Sequence, residues 1–347
     1  MYKKIVIIAL MLLSSVDLFA GGNKRGEAGF MFLKIPVGAR ETSMGVSGLT
    51  MTTGASAMYW NPANVSAMDR PNFQVSYLNY AAGISTNYAA VSFPISDIGV
   101  FGLSLNYVNY GSIDITTEAN PGGTGATYSP YELAFGVSYS KQVTDRVSGG
   151  MTLKFLGSQI DRVSAQGVAF DIGFMYNTDF RGLKMGFAIT NIGPQSKYEG
   201  DGMNQEVILP STVDPSANDE RVFFKYGAEP FELPAAVNFG ISMDIYRNEQ
   251  NSLVGTLEQN VNSYQAGRTN FGVEYGFNNM FFARGGYTST LQKDKDYKTG
   301  EAFYAGLTLG AGVDYKLNDK FGATVDYGYL DMGMLGGTHR FTVGLKF

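Results

Sequence analysis

The chain ends in "HRFTVGLKF", residues 339–347, where apolar and polar residues alternate up to a terminal aromatic ring. Alternation with a period of two is typical of a β-strand that has one apolar and one polar face. Phe341, Val343, Leu345 and Phe347 share the apolar face. Soluble domains usually end in a frayed polar tail instead. The stretch therefore predicts a final strand whose apolar face and terminal ring are covered.

The same alternation recurs from residue 72 onward. "LAFGVSYS" (133–140), "VNFGISMDI" (237–245) and "NFGVEYGF" (270–277) each place bulky apolar residues on one face and mostly Gly, Ser or Asn on the other. Glycine accounts for 44 of 347 residues, about 13% where about 7% is average. Charged residues make up only 16%. The second face is therefore small and polar rather than highly charged.

Two architectures would suit such strands. A soluble sandwich buries its apolar faces between two sheets, whereas a transmembrane barrel turns them toward lipid and lines its lumen with the polar faces. Glycine weakens a strand on a solvent-exposed face, but it suits a crowded lumen. We therefore predict an all-β fold, a transmembrane antiparallel β-barrel over residues 72–347.

The alternation predicts about fourteen strands. An even number places both chain ends on one side, as in bacterial single-chain barrels, and the three long connections, 111–129, 193–234 and 290–301, then all fall on the other side. The last strand should pair with the first, because an open edge in lipid leaves backbone groups unpaired. The predicted strands are 73–80, 86–95, 98–110, 130–142, 147–159, 166–177, 182–192, 235–246, 252–262, 268–277, 279–289, 302–316, 320–330 and 338–347.

The N-terminus has the pattern of a secretory signal. Lys3 and Lys4 precede an apolar run that ends at Leu13, and the small residue Ala20 follows. About nine apolar residues are too few for a membrane-spanning helix, which needs about 20. Residues 1–20 are therefore expected to be a cleaved signal peptide, and the mature protein to lie outside the cytoplasm.

Residues 21–71 do not alternate and are expected to form a separate unit. "FLKIPVGAR" (32–40), "SMGVSG" (43–48) and "SAMYWNPAN" (56–64) resemble the N-terminal signature of the PorV/PorQ family, outer-membrane barrels similar to the FadL fatty-acid transporters. A strand that ends in phenylalanine also resembles the C-terminal signal that barrel-assembly machinery recognises, with Phe341 and Phe347 as the candidate residues.

The resemblance implies that residues 21–71 fold into the lumen as a plug. About fourteen strands enclose more space than their own side chains fill, so the expectation is physically reasonable. Arg40 and Glu41 are expected to pair with luminal charges such as Asp171, Asp244, Glu258, Glu274, Lys154 or Arg284. Trp60, Asn61, Pro62 and Ala63 would act either as part of a gate or as a packing anchor.

Five methionines lie in this stretch, four of them within residues 31–58. Methionine provides an adaptable apolar surface. Met31, Met44, Met51 and Met58 would therefore either line a pocket for an apolar ligand or fill gaps between plug and wall.

The 193–234 connection is far longer than a turn requires, and long loops in compact folds tend to be functional or disordered. It contains two apolar islands, which a disordered segment would lack. We expect it either to cap the barrel or to offer apolar anchors to a partner. The candidate contact residues are Val207, Ile208, Phe223, Phe224 and Tyr226.

The sequence offers little chemistry for catalysis or cofactor binding. Cysteine is absent, His339 is the single histidine, and no serine is tied to it by the pattern. "DPSANDE" (214–220) spaces oxygen ligands alternately but lacks the central glycine of a calcium loop; we interpret it as a solvated loop. The net charge of −5 makes nucleic acid an unsuitable partner. We expect a non-enzymatic protein without metal or cofactor.

Two functions follow from the resemblance. The PorV/PorQ likeness implies a component of a type IX-like secretion apparatus, which holds exported cargo at the surface of a Gram-negative bacterium. The partners would be outer-membrane lipid, barrel-assembly machinery, cargo proteins and secretion-system subunits. The FadL likeness implies passive uptake of a hydrophobic small molecule, such as a long-chain fatty acid, across the outer membrane.

Overall fold

The computed structural model of the chain describes residues 26–178, 180–209, 220–262, 264, 267–290, 306–318 and 321–347. The expected signal peptide and most of the 214–220 stretch lie outside these residues. No helix in the described part of the chain is both long and apolar enough to cross a bilayer.

Fourteen antiparallel strands in the described residues form a barrel, and their bounds lie close to those predicted from the alternation. The strands are β1 Asn72–Asn79, β2 Ser85–Ile95, β3 Gly99–Asn109, β4 Tyr131–Thr144, β5 Val147–Ile160, β6 Val163–Asn177, β7 Lys184–Ile192, β8 Ala236–Arg247, β9 Asn251–Asn262, β10 Arg268–Phe277, β11 Phe281–Thr290, β12 Gly306–Lys316, β13 Gly322–Asp331 and β14 Gly337–Lys346.

The barrel is closed by its first and last strands. β1 pairs with β14 along its whole length, from Asn72 opposite Lys346 to Asn79 opposite His339. Each of the other strands is hydrogen-bonded to its two neighbours in chain order. The prediction that the C-terminal strand seals the sheet is therefore confirmed, and the edge that would otherwise face lipid is removed.

The two faces of the wall differ as the alternation predicted. Side chains on the outer face are large and apolar and are exposed in the isolated chain, as Phe135, Phe271, Leu309 and Phe341 illustrate. Side chains on the inner face are small or polar and are buried, as Ser138, Thr152, Thr308 and Thr342 illustrate. The outer face is therefore the one that meets hydrocarbon, and a soluble sandwich is excluded.

The two ends of the barrel differ in their connections. At the end where β1 starts and β14 stops, here called the turn end, all connections have six residues or fewer. The three longest connections, 110–130, 193–235 and 291–305, all lie at the opposite end, here called the loop end. This confirms the side that strand parity predicted for the long loops; residues 291–305 lie outside the described residues.

The wall changes its pairing where β7 ends. The β6–β7 register shifts between Phe170 and Ile172, and Asn191 adopts a left-handed conformation with φ 60°. The pairing of β6 with β7 ends at Phe170. Nearer the loop end, Ala165 of β6 pairs with the short strand Tyr198–Glu199 instead. Such a bulge bends a strand, and here it leaves an interruption in the loop-end half of the wall.

Residues 26–71 occupy the interior of the barrel as a chain of short helical turns. The elements are the 3₁₀ turn Met31–Lys34, the helices α1 Ala39–Thr42 and α2 Ala57–Trp60, and the 3₁₀ turns Gly54–Ser56 and Pro62–Ala67. The segment starts near the loop end, where Gly29 N donates to Glu232 O at 3.1 Å. It leaves at the turn end, where β1 starts at Asn72. We call residues 26–71 the plug.

The plug contacts the wall closely enough to require glycine at certain positions. A Cβ at Gly286 of β11 would lie 2.0 Å from Gly45 N of the plug, and one at Gly173 of β6 would lie 2.0 Å from Asn61 Oδ1. Gly45 itself has φ 68°, a conformation that glycine adopts readily. The glycine-rich inner face therefore serves to let the plug backbone approach the strands.

We predict that Gly286→Ala destabilises the protein, because the added methyl overlaps the Gly45 backbone. Overpacking of this kind typically costs about 1–3 kcal/mol. Gly285→Ala is the matched control, since a Cβ at Gly285 would have its nearest neighbour at 3.8 Å. Thermal unfolding of the detergent-solubilised barrel, followed by its heat-modifiable electrophoretic mobility, compares the two. Equal unfolding temperatures would contradict the close approach.

Candidate functional site

A row of four charged residues, three of them buried and Arg40 partly exposed, joins the plug to the wall. Arg40 of α1 makes a bidentate contact with Glu274 of β10, with Nε to Oε2 at 2.8 Å and Nη2 to Oε1 at 2.7 Å. Arg284 of β11 donates to the same Glu274 carboxylate and to Asp326 Oδ1 of β13, both at 2.6 Å. We call Arg40, Glu274, Arg284 and Asp326 the charged anchor.

The charged anchor is balanced in charge and largely closed to solvent. The side chains of Arg284 and Glu274 are only 3% and 6% exposed. Two guanidinium groups face two carboxylates, so each buried charge has an oppositely charged neighbour. Bidentate arginine–carboxylate contacts add geometric specificity to the electrostatic energy. The row therefore fixes the position of α1 relative to three strands of the wall.

Threonine hydroxyls of the wall hold the plug backbone beside the charged anchor. Thr308 Oγ1 of β12 accepts from Gly45 N at 2.7 Å and donates to Ser43 O at 2.9 Å. Thr288 Oγ1 donates to Gly45 O at 2.9 Å, and Ala39 N donates to Thr342 Oγ1 at 2.9 Å. The plug has little regular structure of its own, so the wall satisfies backbone groups that a longer helix would pair internally.

Glu41 forms no ion pair with Lys154 or Arg284, the luminal cations suggested from the sequence, among the described residues. Its Oε1 accepts from Thr52 Oγ1 at 3.0 Å, and its Oε2 has no hydrogen-bond partner among the described residues. Burial raises the pKa of the Glu41 carboxyl above its ordinary value, and the neighbouring Arg40 charge opposes the shift. The side chain stays within the plug, beside Gly38.

Asn61, Pro62 and Ala63 form a turn that anchors the plug to β5 and β6. Asn61 is fully buried, and its Nδ2 donates to Leu49 O and to Phe174 O, both at 3.2 Å. Its Oδ1 caps the next 3₁₀ turn by accepting from Ala63 N at 3.1 Å, and Pro62 occupies the first position of that turn, where a missing N–H costs nothing. These contacts hold the turn both to the rest of the plug and to the wall.

Trp60 lies nearer the loop end of the plug. Its Nε1 donates to Val37 O at 3.2 Å, and its ring packs edge-to-face on Tyr59 at 5.1 Å between centroids. Gly48 makes room for the ring. Trp60 is half-buried and lines a luminal cavity on the loop-end side of the plug.

The four candidate methionines do not gather in one place. Met44 and Met58 are fully buried between plug and wall, and the methyl group of Met58 fills the space beside Gly102. Met51 contributes its backbone carbonyl to Arg40 Nη1 at 3.3 Å. Met31 starts the first 3₁₀ turn. None of the four lines either luminal cavity described next.

Two cavities lie on opposite sides of the plug. A cavity of about 370 Å³ opens at the turn end and is bordered by charged side chains that include Arg40, Glu41 and Asp326. A smaller one of about 90 Å³ lies toward the loop end, between Lys34, Trp60 and the outer halves of β7 to β10. Within the described residues no group of three or more acidic or histidine side chains is placed to hold a metal ion.

The long loop-end connection carries an antiparallel hairpin of Asn204–Leu209 and Glu220–Lys225. Phe223, Phe224 and Tyr226 are exposed, with 70%, 51% and 60% of their surface accessible. The backbone of Val207 pairs with that of Val222, and Ile208 follows it in the same strand. The side chains of Val207 and Ile208 are outside the described part of the structure. We call residues 204–225 the outer hairpin.

The remaining candidate residues lie on the outer wall. Phe341 of β14 points outward, and Phe347 follows the strand at the turn end, where its N–H donates to Pro71 O at 3.1 Å. His339 also faces outward, with its Nδ1 2.7 Å from the hydroxyl of Tyr327. The structure therefore puts His339 in the aromatic surface of the wall rather than in the lumen.

Several residues of these sites were not identified from the sequence. Asp326 was missed, although it shares an alternating face with Thr324 and Gly328, and strand parity would have placed it in the lumen. Lys34 and Asn270 were also missed, since neither stands out in composition or spacing. Among the suggested luminal charges, Glu274 and Arg284 contribute to the charged anchor, whereas Lys154 and Asp171 form a separate ion pair at 2.6 Å.

Comparisons with known proteins relate the chain to one family and one fold. It matches the family described as "Type IX secretion system protein PorV" over residues 23–226, more than half of its length. No curated protein sequence matches it.

Three solved structures are similar, and at these identities the likeness establishes the fold alone. The toluene transporter TbuX of Ralstonia pickettii is 15% identical with a TM-score of 0.54, over 89% of this chain and 97% of that one. The toluene transporter TodX of Pseudomonas putida is 13% identical with a TM-score of 0.55, over 89% and 97%. A FadL homologue of Pseudomonas aeruginosa is 13% identical with a TM-score of 0.51, over 90% and 98%.

We predict that Arg284→Met destabilises the barrel and loosens the plug, because it leaves Asp326 without its partner and Glu274 with one guanidinium. Removing one member of a buried ion pair typically costs about 3–5 kcal/mol. Arg247→Met is the control: it breaks a pair with Asp244 in which Arg247 is 54% exposed, so the loss should stay within about 1 kcal/mol. Urea unfolding measures both, and similar losses would contradict the anchor.

Proposed function

Because the chain belongs to the PorV family of type IX secretion proteins, we propose that it is a non-enzymatic component of such a system in the outer membrane of a Gram-negative bacterium. In this proposal the barrel holds exported proteins at the cell surface and passes them to the step that attaches them there. Its partners are the cargo proteins and other subunits of the secretion apparatus. Assembly machinery inserts the barrel in the membrane through the C-terminal strand β14 and the Phe347 that follows it.

The filled lumen supports a holding function rather than a protein-conducting one. The plug is fixed to the wall through the charged anchor, through wall threonines and through Asn61. Among the described residues, the larger of the two luminal cavities measures about 370 Å³, which is far too small for a folded protein. We therefore infer that large partners contact the ends of the barrel or its outer wall.

The observation that carries the proposal is the exposed aromatic surface of the outer hairpin. Phe223 and Phe224 are neighbours on one strand and therefore point to opposite faces of a two-stranded sheet, and each is more than half exposed. Burying one such ring fully contributes about 1.5–3 kcal/mol. Aromatic side chains are enriched in the cores of protein–protein interfaces.

We predict that excising the outer hairpin abolishes delivery of exported proteins to the cell surface. Tyr226 N donates to Met203 O at 2.9 Å, so the two residues that flank the hairpin are already in contact. Two glycines in place of residues 204–225 can therefore join them through a tight turn without moving the barrel. The measurement is surface display of exported proteins in cells that carry only the altered chain. Heat-modifiable mobility checks that the shortened barrel still folds.

A double substitution sharpens the same test. Phe223→Ser with Phe224→Ser should reduce display at least tenfold and should prevent copurification of cargo. Leu335→Ser is the matched control, since Leu335 is also exposed, at 44%, in a different loop-end connection. Display at the normal level from both the excised and the doubly substituted chain would exclude the hairpin as the contact surface.

The interrupted wall favours a second candidate function, passive uptake of a hydrophobic small molecule in the manner of a FadL-like transporter. Beside residues 166–169 of β6, an aromatic cluster lies between plug and wall. Phe231 packs against Phe30 at 5.5 Å and against Tyr198 at 5.4 Å between ring centroids. Rearrangement of this cluster would join the lumen to the lipid through the gap where β7 ends.

We predict that a disulfide across the gap blocks such uptake. An ideal Cβ at Gly167 lies 2.7 Å from Ser196 Oγ, so cysteines at these two positions can reach the separation that a disulfide needs. The chain contains no cysteine of its own, so the pair is unique. Uptake of a fluorescent fatty acid by proteoliposomes should stop on oxidation and return on reduction. An equal rate of uptake by the oxidised and the reduced protein would exclude this route.

A further inference from the structure

The smaller luminal cavity, of about 90 Å³, is bordered mainly by polar residues, and Lys34 and Asn270 among them each carry an atom without a hydrogen-bond partner in the described structure. It lies on the loop-end side of the plug, between the 3₁₀ turn Met31–Lys34, Trp60 and strands β7 to β10. On the wall side it is bordered by Asn238, Asn260, Arg268 and Asn270. These positions are near the loop ends of their strands, so the cavity faces the outside of the cell in the proposed orientation.

Lys34 brings a buried positive charge to this cavity. Its Nζ is shielded from solvent and has no hydrogen-bond partner among the described residues. Burial and the charge of Arg268, which lines the same cavity, lower the pKa of Lys34 to about 7. A buried ammonium group without a partner is costly, and an anion placed beside it would offset both causes of the shift.

The nearby carboxylates are already committed to other groups. Glu258 also borders the cavity, but its two oxygens accept from Leu49 N at 2.7 Å and Gly48 N at 3.2 Å. Asp171 accepts from Asn191 N at 2.8 Å and pairs with Lys154 Nζ at 2.6 Å. Each carboxylate therefore already has its own donors, and neither is a hydrogen-bond partner of Lys34 Nζ.

Asn270 presents the complementary polar atom. Its Nδ2 donates to Val46 O at 3.0 Å. Because a backbone carbonyl can only accept, the amide nitrogen must be the atom that faces Val46, and Oδ1 faces away from it. The remaining Oδ1 is buried and has no hydrogen-bond partner in the described structure. The side chain as a whole is 6% exposed. The cavity is thus lined by two residues that each hold a buried polar atom without a hydrogen-bond partner in the described structure, the amine of Lys34 and the amide oxygen of Asn270.

We propose that this cavity binds a small carboxylate that carries an adjacent O–H or N–H group. The carboxylate accepts from Lys34, and the neighbouring donor is satisfied by Asn270 Oδ1. A short hydroxy acid has this chemistry, and so does the C-terminal residue of a peptide, with its free carboxylate and its amide N–H. The volume of about 90 Å³ suits such a group, since one water occupies about 30 Å³ in the liquid.

The proposal stands apart from the secretion function. A free hydroxy acid would bind whether or not the barrel holds exported proteins. A peptide C-terminus would add a specific contact between the lumen and a chain that arrives from the loop end. The site differs from the aromatic surface of the outer hairpin, so either can fail while the other holds.

Isothermal titration of the full chain in detergent tests the site with four probes. L-lactate and N-acetylglycine carry the carboxylate and the adjacent donor, whereas lactamide and N-acetylglycinamide are their neutral counterparts. We expect saturable binding of at least one acid and at least tenfold weaker binding of its amide. Tighter binding of N-acetylglycine identifies a peptide terminus as the better source, and tighter binding of L-lactate identifies a free hydroxy acid.

Substitutions of Lys34 test whether the acid binds in this cavity. Lys34→Met should weaken binding of the acid at least tenfold, and Lys34→Arg, which keeps the charge, should retain binding to within about threefold. Lys184→Met is the control, since Lys184 is a partly buried lysine at the turn end of β7 that does not border the cavity. Heat-modifiable mobility confirms that each variant folds.

Three outcomes would overturn the proposal. Absence of saturable binding for both acids means that the cavity holds only water. Equal binding of acid and amide means that the charge of Lys34 has no part in recognition. Unchanged binding in the folded Lys34→Met chain places the ligand elsewhere.

Discussion

A strand in hydrocarbon must find a hydrogen-bond partner within the protein for every backbone N–H and C=O, because lipid offers none. This constraint explains why β1 pairs with β14 over its full length, from Asn72 opposite Lys346 to Asn79 opposite His339. Closure fixes the inside and the outside of every strand at once, so large apolar residues face lipid and small or polar residues face the lumen.

Closing fourteen strands creates an interior that their own side chains do not fill, and the plug occupies that space. Its backbone approaches the wall where glycines such as Gly173 and Gly286 leave room. Its charge is matched by the charged anchor, in which Glu274 is shared between Arg40 and Arg284. Because the interior is filled, the proposed function relies on the loop end, where Phe223 and Phe224 are exposed.

The sequence predicted the wall better than the plug, for a physical reason. Strand alternation is a local signal, so the fourteen strands and the side of the long loops could be predicted from short stretches. The contacts of the plug are not local: Arg40 and its partner Glu274 are 234 residues apart, and several luminal charges were equally suitable from the sequence. Glu41 was expected to pair with such a charge but contacts Thr52. The site proposed at Lys34 and Asn270 depends on atoms without hydrogen-bond partners in the described structure, which no sequence pattern reveals.

The most direct test of the account is a disulfide between the first and last strands. Val75 of β1 and Val343 of β14 are opposite each other and both face outward, and the chain has no other cysteine to interfere. The account predicts that Val75→Cys with Val343→Cys forms a disulfide on oxidation, as the control pair Val75→Cys with Ala89→Cys does, whose residues are opposite each other on β1 and β2. A disulfide in the control pair but none between β1 and β14 would contradict a closed barrel.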